Sequence, residues 1–232
     1  MPQHILFFDI DGTMLSTGGA GQKAMELALV EDFQATFPFE GVLTAGRTDC
    51  GIADEIFLKY QLEDTPAERQ RFMQSYLDRL PACLKTLPGA LLPGVRELLE
   101  HLDRPDVHLS LLTGNYVEGA WIKLRHFEID HFFTTGGYGD EHPLRDDVAR
   151  QAMLDVCRYL GRDVPGHDAC VIGDTPADIR CARAINARAA AVATGMYSSD
   201  QLRPHEPDHL FDDLSQTEEV ARRLLQRAVS RE

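Results

Sequence analysis

Near the N-terminus the chain reads Ile5-Leu6-Phe7-Phe8-Asp9-Ile10-Asp11-Gly12-Thr13. A continuous apolar run such as Ile5 to Phe8 is typical of a strand that is covered on both faces of a sheet. The run ends at two carboxylates spaced i and i+2, which strand geometry would put on one side if the strand continued. Gly12 allows a sharp turn behind them. The stretch therefore predicts a buried strand that ends in paired acidic side chains.

Three further apolar runs have the same form, because each ends in small or polar residues: Val107 to Leu112 before Thr113, Ala169 to Ile172 before Gly173, and Ala189 to Ala193 before Thr194. Stretches with helical spacing of apolar residues lie between these runs, at Val95, Leu98, Leu99 and Leu102 and again at Val220, Leu224, Leu225 and Ala228. Strands that alternate with helices predict an α/β fold with a doubly wound, Rossmann-like parallel sheet.

One segment, residues 16–88, interrupts this alternation. It contains no convincing buried strand but three helix-like runs, separated by glycines and prolines: Ala24 to Phe33, Cys50 to Tyr60 and Pro66 to Leu84. We therefore predict a helical cap domain over residues 16–88, inserted into an α/β core formed by residues 1–15 and 89–232. The glycines Gly18, Gly19 and Gly21 are expected to form the joint between the two parts.

The composition is that of an ordinary soluble globular protein. The 232 residues include 23 basic and 37 acidic side chains, which gives a formal net charge of −14, and 44% are hydrophobic. This negative charge disfavours binding to nucleic acid or to an anionic membrane surface. No apolar stretch approaches the ~18 residues of a membrane span. The 5 cysteines contain no CxxC pair, which indicates reduced thiols and a cytoplasmic protein.

Two of the later strands end in polar motifs that can carry chemistry. Thr113-Gly114-Asn115 follows the second strand, and Gly173-Asp174-Thr175-Pro176-Ala177-Asp178 follows the third. Proline after Asp174 and Thr175 is a signal for the start of a helix. Ligands of open α/β sheets bind beyond the carboxyl ends of the strands. We therefore expect these motifs and the Asp9–Asp11 pair to share one site.

Taken in order, these motifs read Asp9-x-Asp11-Gly12-Thr13, Thr113-Gly114-Asn115 and Gly173-Asp174-x-x-x-Asp178. This ordered set resembles the haloacid dehalogenase superfamily of phosphohydrolases, and in particular its phosphoglycolate phosphatase-like branch, whose helical cap follows the first motif. Two other segments are similar to that branch: Gly46-Arg47-Thr48-Asp49 in the cap, and the tail from Ala189-Ala190-Ala191-Val192-Ala193-Thr194-Gly195 to Phe211-Asp212-Asp213-Leu214. The resemblance covers nearly the whole chain.

The resemblance implies a role for each motif residue. Asp9 would be the nucleophile that forms an aspartyl-phosphate, which divides one difficult step into two easier ones. Asp11 would act as general acid and then general base. Clustered carboxylates beside a phosphate need a cation, so Mg2+ is implied. Its ligands would be the Asp9 carboxylate, the Asp11 carbonyl and Asp174, with Asp178 supporting the metal.

Further residues would bind the substrate. By the same resemblance, Thr113 would donate a hydrogen bond to a phosphoryl oxygen, and backbone N–H groups around Gly114 and Asn115 could complete an anion cradle. Arg47 of the cap would reach toward the leaving group.

The sequence departs from the family pattern at the position of the phosphate-binding lysine. That lysine usually stands just before the helix that precedes the Gly173-Asp174 motif, but here Arg145 is the nearest cation. Lys123, on the helix after Thr113, is the other candidate. Arginine offers a bidentate fork where lysine offers a point charge, so the phosphate would be held differently.

These features predict a Mg2+-dependent phosphatase of small phosphorylated metabolites, with phosphoglycolate as the first substrate to test. A sugar phosphomutase of the same superfamily would share every core motif and differ in how well the cap keeps water from the aspartyl-phosphate. A non-catalytic protein that binds phosphorylated metabolites is a further alternative, which the missing lysine supports and the intact Asp9 and Asp11 oppose. A monomer and a homodimer are both compatible with the sequence.

Overall fold

The computed structural model describes residues 2–35 and 41–226. The strands of this part of the chain are β1 (His4–Phe8), β2 (Leu15–Ser16), β3 (Ala90–Leu91), β4 (Val107–Leu112), β5 (Thr135–Gly137), β6 (Ala169–Gly173), β7 (Arg188–Val192) and β8 (His209–Phe211). Its α-helices are α1 (Ala20–Phe33), α2 (Asp49–Lys59), α3 (Pro66–Thr86), α4 (Val95–Leu102), α5 (Val117–His126), α6 (Arg145–Leu160), α7 (Pro176–Ala184), α8 (Ser199–Leu202) and α9 (Thr217–Leu224).

Six of the strands form one parallel sheet in the order β5-β4-β1-β6-β7-β8. The chain moves outward from β1 in both directions, which is the doubly wound arrangement of an α/β fold. This confirms the predicted fold class. β1 lies at the centre, where Phe8 pairs with Leu111 of β4 on one side and with Ile172 of β6 on the other. The carboxyl ends of these three strands therefore lie side by side.

Helices cover both faces of the sheet, as the apolar strands require. Leu6 and Phe8 face a core shared with α4, α5 and α9, whereas Ile5 and Phe7 face a core shared with α6 and α7. All four side chains are at most 1% exposed. Because neighbouring residues of a strand point to opposite faces, strands buried on both faces are apolar throughout.

Helices α1, α2 and α3 pack together around a separate apolar cluster. Phe33, Phe57 and Phe72 form its aromatic centre, with edge-to-face ring centroids 5.9–6.1 Å apart. Thr48 and Thr65 start α2 and α3 by accepting hydrogen bonds from backbone N–H groups of the first turn. These helices occupy the interval in which a cap was predicted, and the domain boundaries at 15/16 and 88/89 stay predictions.

The chain crosses between the sheet and the helical cluster twice, and the two crossings pair with each other. Leu15 pairs with Leu91 and Ser16 with Ala90 in the antiparallel ribbon of β2 and β3. Gly18, with φ of +61°, and Gly89 lie beside this ribbon. A Cβ at Gly18 would lie 2.8 Å from the backbone of Pro88, so the close approach of the two crossings requires glycine there.

The structure contains the predicted helices and adds two strands that were not predicted. The predicted helix after Thr113 is α5, and the helix predicted from Val95 is confirmed as α4. Ala228, assigned to the C-terminal helix, lies outside the described residues, as does all of 227–232. Strands β5 and β8 were not predicted, because each has three residues at an edge of the sheet and neither is a long apolar run. In the described ranges, no helix is long and apolar enough to cross a membrane.

Candidate active site

Three carboxylates meet where β1 and β6 end. Asp9 follows β1, Asp174 follows β6, and Asp178 lies in the first turn of α7. Each residue is at most 5% exposed, and one oxygen of each lies within 4.8 Å of the others. The parallel register explains the first two positions, because the backbone N–H of Asp9 donates to the carbonyl of Ile172 at 3.0 Å.

Local contacts hold Asp178 and Asp174 in this cluster. Asp178 completes a capping box, since its carboxylate accepts from the N–H of Thr175 at 3.0 Å and from the Thr175 hydroxyl at 2.7 Å. Asp174 accepts from the Thr13 hydroxyl at 3.1 Å. Gly12 and Gly195 leave room for Asp174, because a Cβ at either position would lie within 2.6 Å of its Oδ2.

Burial makes the charged forms of these carboxyl groups costly. It raises the pKa of Asp9 from 3.8 to about 7, although Arg145 opposes the shift. Burial, followed by the negative charges of Asp178 and Asp9, raises the pKa of Asp174 to about 8. Oxygen ligands that are crowded, buried and short of positive charge are the donor set that a divalent cation such as Mg2+ prefers. The residues present therefore fit the metal that the sequence analysis implied.

Arg145 supplies positive charge at the bottom of the site. It lies at the start of α6, and its guanidinium is 3.3 Å from Oδ1 of Asp9 and also pairs with Asp178. Its side chain is 6% exposed. The structure thus brings this predicted phosphate-binding candidate next to the predicted nucleophile, where it partly offsets the charge of the carboxylate cluster.

The second candidate cation, Lys123, lies on the other side of the site. Its Nζ is 2.6 Å from Oδ2 of Asp11 and also donates to the side-chain oxygen of Asn115. Asn115 Nδ2 donates to the same Asp11 oxygen at 2.8 Å. Lys123 is 4% exposed, whereas the Asp11 side chain is 40% exposed. Lys123 and Asn115 therefore orient a carboxylate that remains accessible from the cavity.

Thr113 and Gly114 have contacts other than those expected. The Thr113 hydroxyl is fully buried and accepts from Asn115 Nδ2 at 2.7 Å, so in this arrangement it supports Asn115 rather than lining the cavity. The carbonyl of Gly114 accepts from the N–H of Asp49 in α2 at 2.6 Å. Gly139 accepts in the same way from Cys50 at 3.2 Å. These contacts dock the start of α2 against the loops that follow β4 and β5.

Arg47 departs from its expected orientation toward the leaving group. Its guanidinium pairs with Glu55 and donates to the carbonyls of Gly51 at 2.7 Å and Leu43 at 3.2 Å. It is not among the residues that line the cavity in the described structure. These three acceptors hold the side chain because they match its fork of donors.

A cavity of about 440 Å³ opens above the carboxylates, between the sheet and α1–α3. The core contributes Asp9, Asp11, Gly12, Asn115, Lys123, Arg145, Asp174, Thr175, Thr194, Gly195 and Met196. The crossing residues and the helical cluster contribute Leu15, Ser16, Thr17, Gly19, Gly21, Gln22, Met25, Thr44, Ala45, Gly46, Asp49, Ile52 and Tyr76. Its size suits a small organic ligand.

Several lining residues were not assigned a role by the sequence analysis. Asp49 stands in the quoted Gly46-Arg47-Thr48-Asp49 segment, but only Arg47 was selected from it. Thr194 and Gly195 stand in the quoted tail segment, and the Thr194 hydroxyl donates to the carbonyl of Gly12 at 2.6 Å. Their position directly after the apolar run that became β7 was the available signal. Gln22 and Tyr76 had none, since they lie on helices whose orientation the sequence does not specify.

The pattern of the haloacid dehalogenase-like hydrolases matches residues 4–186. The chain belongs to this family. The resemblance inferred from the three motifs is thereby confirmed, and the match extends across α1–α3 as well as most of the core. The predicted enzyme class, a phosphoric monoester hydrolase, agrees with the names of relatives in the family.

Two relatives and one solved structure illustrate the similarity to other haloacid dehalogenase-like hydrolases. Phosphoglycolate phosphatase of Pseudomonas syringae pv. tomato is 24% identical over 222 residues, covering 90% of this chain and 76% of the relative. A Caldanaerobacter subterraneus subsp. tengcongensis protein, provisionally named pyrophosphatase PpaX, is 23% identical over 211 residues, 91% of each chain. A mutant of CbbY from Rhodobacter sphaeroides, crystallised with xylulose-(1,5)-bisphosphate, has a TM-score of 0.71 at 21% identity, and the match covers 93% of this chain and 96% of that chain.

Proposed function

We propose that this protein is a Mg2+-dependent phosphatase that hydrolyses small phosphate monoesters through an aspartyl-phosphate on Asp9. The observation that carries the proposal is that Asp9 and Asp11 line one cavity, above a cluster of buried carboxylates. The family match and the phosphatase names of relatives support the same reaction class.

In this proposal Asp9, Asp174 and the backbone carbonyl of Asp11 would hold Mg2+, and Asp178 would support the site. When bound, the cation supplies positive charge that offsets the buried carboxylates and the incoming phosphate. Arg145 adds a fixed positive charge 3.3 Å from Asp9, which favours it over Lys123 as the replacement for the family lysine. Lys123 pairs with Asp11 and serves to orient it.

The reaction proceeds in two displacements. A carboxylate oxygen of Asp9 attacks phosphorus, a bond forms between Asp9 and the phosphoryl group, and the bond to the ester oxygen breaks. Asp11 gives its proton to the departing alcohol oxygen. Asp11 then takes a proton from water as the water oxygen attacks phosphorus, which releases inorganic phosphate and regenerates Asp9. Asn115 and Lys123 hold Asp11 in position for both transfers.

The test is release of inorganic phosphate from a panel of monoesters, with phosphoglycolate first, with and without Mg2+. We expect turnover that requires Mg2+ and is lost in Asp9→Asn, which keeps the size of the side chain but not its nucleophilicity. Isomerisation of a sugar phosphate without phosphate release would instead assign a phosphomutase. Binding without either reaction would assign the non-catalytic alternative.

The proposal also indicates the class of partner. The substrate is a small phosphorylated metabolite, and the acidic surface gives no reason to expect nucleic acid or membrane ligands. A cytoplasmic location stays a prediction from the sequence, as does the choice between monomer and homodimer.

A further inference from the structure

A further buried carboxylate lines the same cavity from the helical cluster of α1–α3. Asp49 begins α2, is 7% exposed and lines the cavity. Its Oδ2 accepts from the N–H of Tyr116 at 2.9 Å. Burial raises the pKa of Asp49 to about 6, with Lys123 and the Tyr116 hydrogen bond opposing the shift. At about pH 8 the group is therefore ionised.

Lys123, Asp11 and Asp140 are the charged groups that act on Asp49, and Lys123, the cation among them, already donates to Asp11. Gln22, Thr44 and Tyr76 offer polar groups to the same cavity, and Met25 and Ile52 offer apolar ones. Among the described residues that line the cavity, the cations are Lys123 and Arg145, and each already contacts a carboxylate of the core. Arg47 is paired with Glu55. Within the described lining, a second anionic group on a substrate would therefore find Asp49 but no cation that lacks a carboxylate partner.

We propose that Asp49 selects substrates by charge: it disfavours phosphate esters whose alcohol portion carries a second anion, and it favours neutral alcohol portions that carry hydroxyl groups. The carboxylate accepts hydrogen bonds from such hydroxyls, and Gln22 and Thr44 can both donate and accept. The inference rests on the proposed phosphatase function and specifies its substrate class. Phosphoglycolate, whose alcohol portion ends in a carboxylate, is on this reasoning a poor substrate.

The size of the effect follows from the charges. Two like charges about 6 Å apart, at an effective dielectric constant of ~20, repel each other enough to weaken binding ~100-fold. Water in the open cavity and salt reduce this repulsion. We therefore expect a preference of ~10-fold or more in kcat/KM for a neutral ester over an anionic ester of the same shape.

The experiment compares matched pairs of esters at about pH 8 in the presence of Mg2+. 2-Phosphoglycolate is paired with 2-hydroxyethyl phosphate, and 3-phosphoglycerate with glycerol 3-phosphate, so that each pair differs by a carboxylate in place of a CH2OH group. The wild-type protein should favour the neutral ester of each pair. Asp49→Asn, which keeps an oxygen acceptor for Tyr116, should bring the ratio of kcat/KM values close to one.

Asp54→Asn is the matched control, because it makes the same change on the same helix outside the cavity. Asp54 is 46% exposed and pairs with Arg69, so its removal should leave the wild-type ratio unchanged. The wild-type ratios decide the inference even if Asp49→Asn does not fold. Calorimetric binding of the same esters to the Asp9→Asn protein with Mg2+ provides the comparison without turnover.

The outcomes separate the two proposals. Wild-type preference for the anionic esters, or a folded Asp49→Asn protein with an unchanged ratio, overturns the inference and leaves the phosphatase intact. If Arg47→Ala then removed a preference for anionic esters, the recognition of that anion would belong to Arg47. If no ester is hydrolysed but the neutral ones bind more tightly, the phosphatase fails and the selection by charge stands. If no ester is hydrolysed or bound, both fail.

Discussion

Replacing Gly195 by alanine should disable the site by moving one carboxylate. A Cβ at this position would lie 1.7 Å from Oδ2 and 2.6 Å from Cγ of Asp174, and a Cβ is essentially never found within 3.0 Å of another atom. The carboxylate must therefore move by about 1.3 Å. It cannot do so easily, because Gly12 packs against it from another direction and the Thr13 hydroxyl binds it at 3.1 Å.

The expected cost follows from that displacement. Misplacing a functional group by about 1 Å lowers activity on the order of 100-fold, and a similar loss of Mg2+ affinity corresponds to about 2.7 kcal/mol. Overpacking a buried site also lowers the free energy of unfolding by ~1–3 kcal/mol. Gly195→Ala should therefore fold, with a reduced Tm, and bind Mg2+ about 100-fold more weakly than the wild-type protein.

Titration calorimetry with Mg2+ measures this affinity, and phosphate release on the best substrate measures kcat. Gly161→Ala is the control. A Cβ at Gly161 would meet nothing within 4 Å, but its φ of +64° makes alanine unfavourable there by ~1–2 kcal/mol. It should lower Tm and leave Mg2+ binding unchanged. Wild-type Mg2+ affinity in Gly195→Ala, or an equal loss in both variants, would refute the steric reasoning.

Two further predictions concern the charges of the cluster. Without metal, the free energy of unfolding should fall as the pH rises from about 4 to about 8. Over this range the folded protein retains protons on Asp9 (pKa about 7) and Asp174 (pKa about 8), whereas the unfolded chain, with carboxyl pKa values near 3.8, has released them. Mg2+ displaces those protons, so the rise in Tm on adding it should grow over this range in calorimetric scans; a pH-independent rise would contradict the assignment. Arg145→Met leaves Asp9 and Asp178 without their cation and should lower the free energy of unfolding by ~3 kcal/mol in urea titrations, whereas Arg145→Lys keeps the charge and should lose less. Equal stability of the Met variant and the wild-type protein would rule out this role for Arg145.

The sequence predicted the centre of the sheet because its central strands are buried on both faces. The continuous apolar runs at Ile5 to Phe8 and Val107 to Leu112 are typical of strands in the middle of a parallel sheet. Strand β5 reads Thr135-Gly136-Gly137 and has no such signal. The ribbon of β2 and β3 exists only because segments some 75 residues apart meet, and local patterns contain no information about that meeting.

The same distinction holds within the candidate site. Asp9 and Asp174 could be predicted to lie together because both directly follow strands of one parallel sheet. Lys123 could be named as a cation, but its contact with Asp11 depends on how α5 packs. The direction of Arg47 depends on the nearby Glu55 and on loop carbonyls, and the position of Asp49 depends on how α2 docks onto Gly114. These are tertiary contacts, which the order of motifs along the chain does not determine.

The paired crossings of β2 and β3 have a consequence for the modularity of the protein. Since Ser16 pairs with Ala90, the points where the chain leaves and re-enters the sheet are about 5 Å apart. A short turn could join them without disturbing β1 or β4, and a different insert with similarly close ends could take the place of α1–α3. Under the proposed function, the helices that line the cavity could thus be exchanged while the sheet that holds Asp9 and Asp174 is kept.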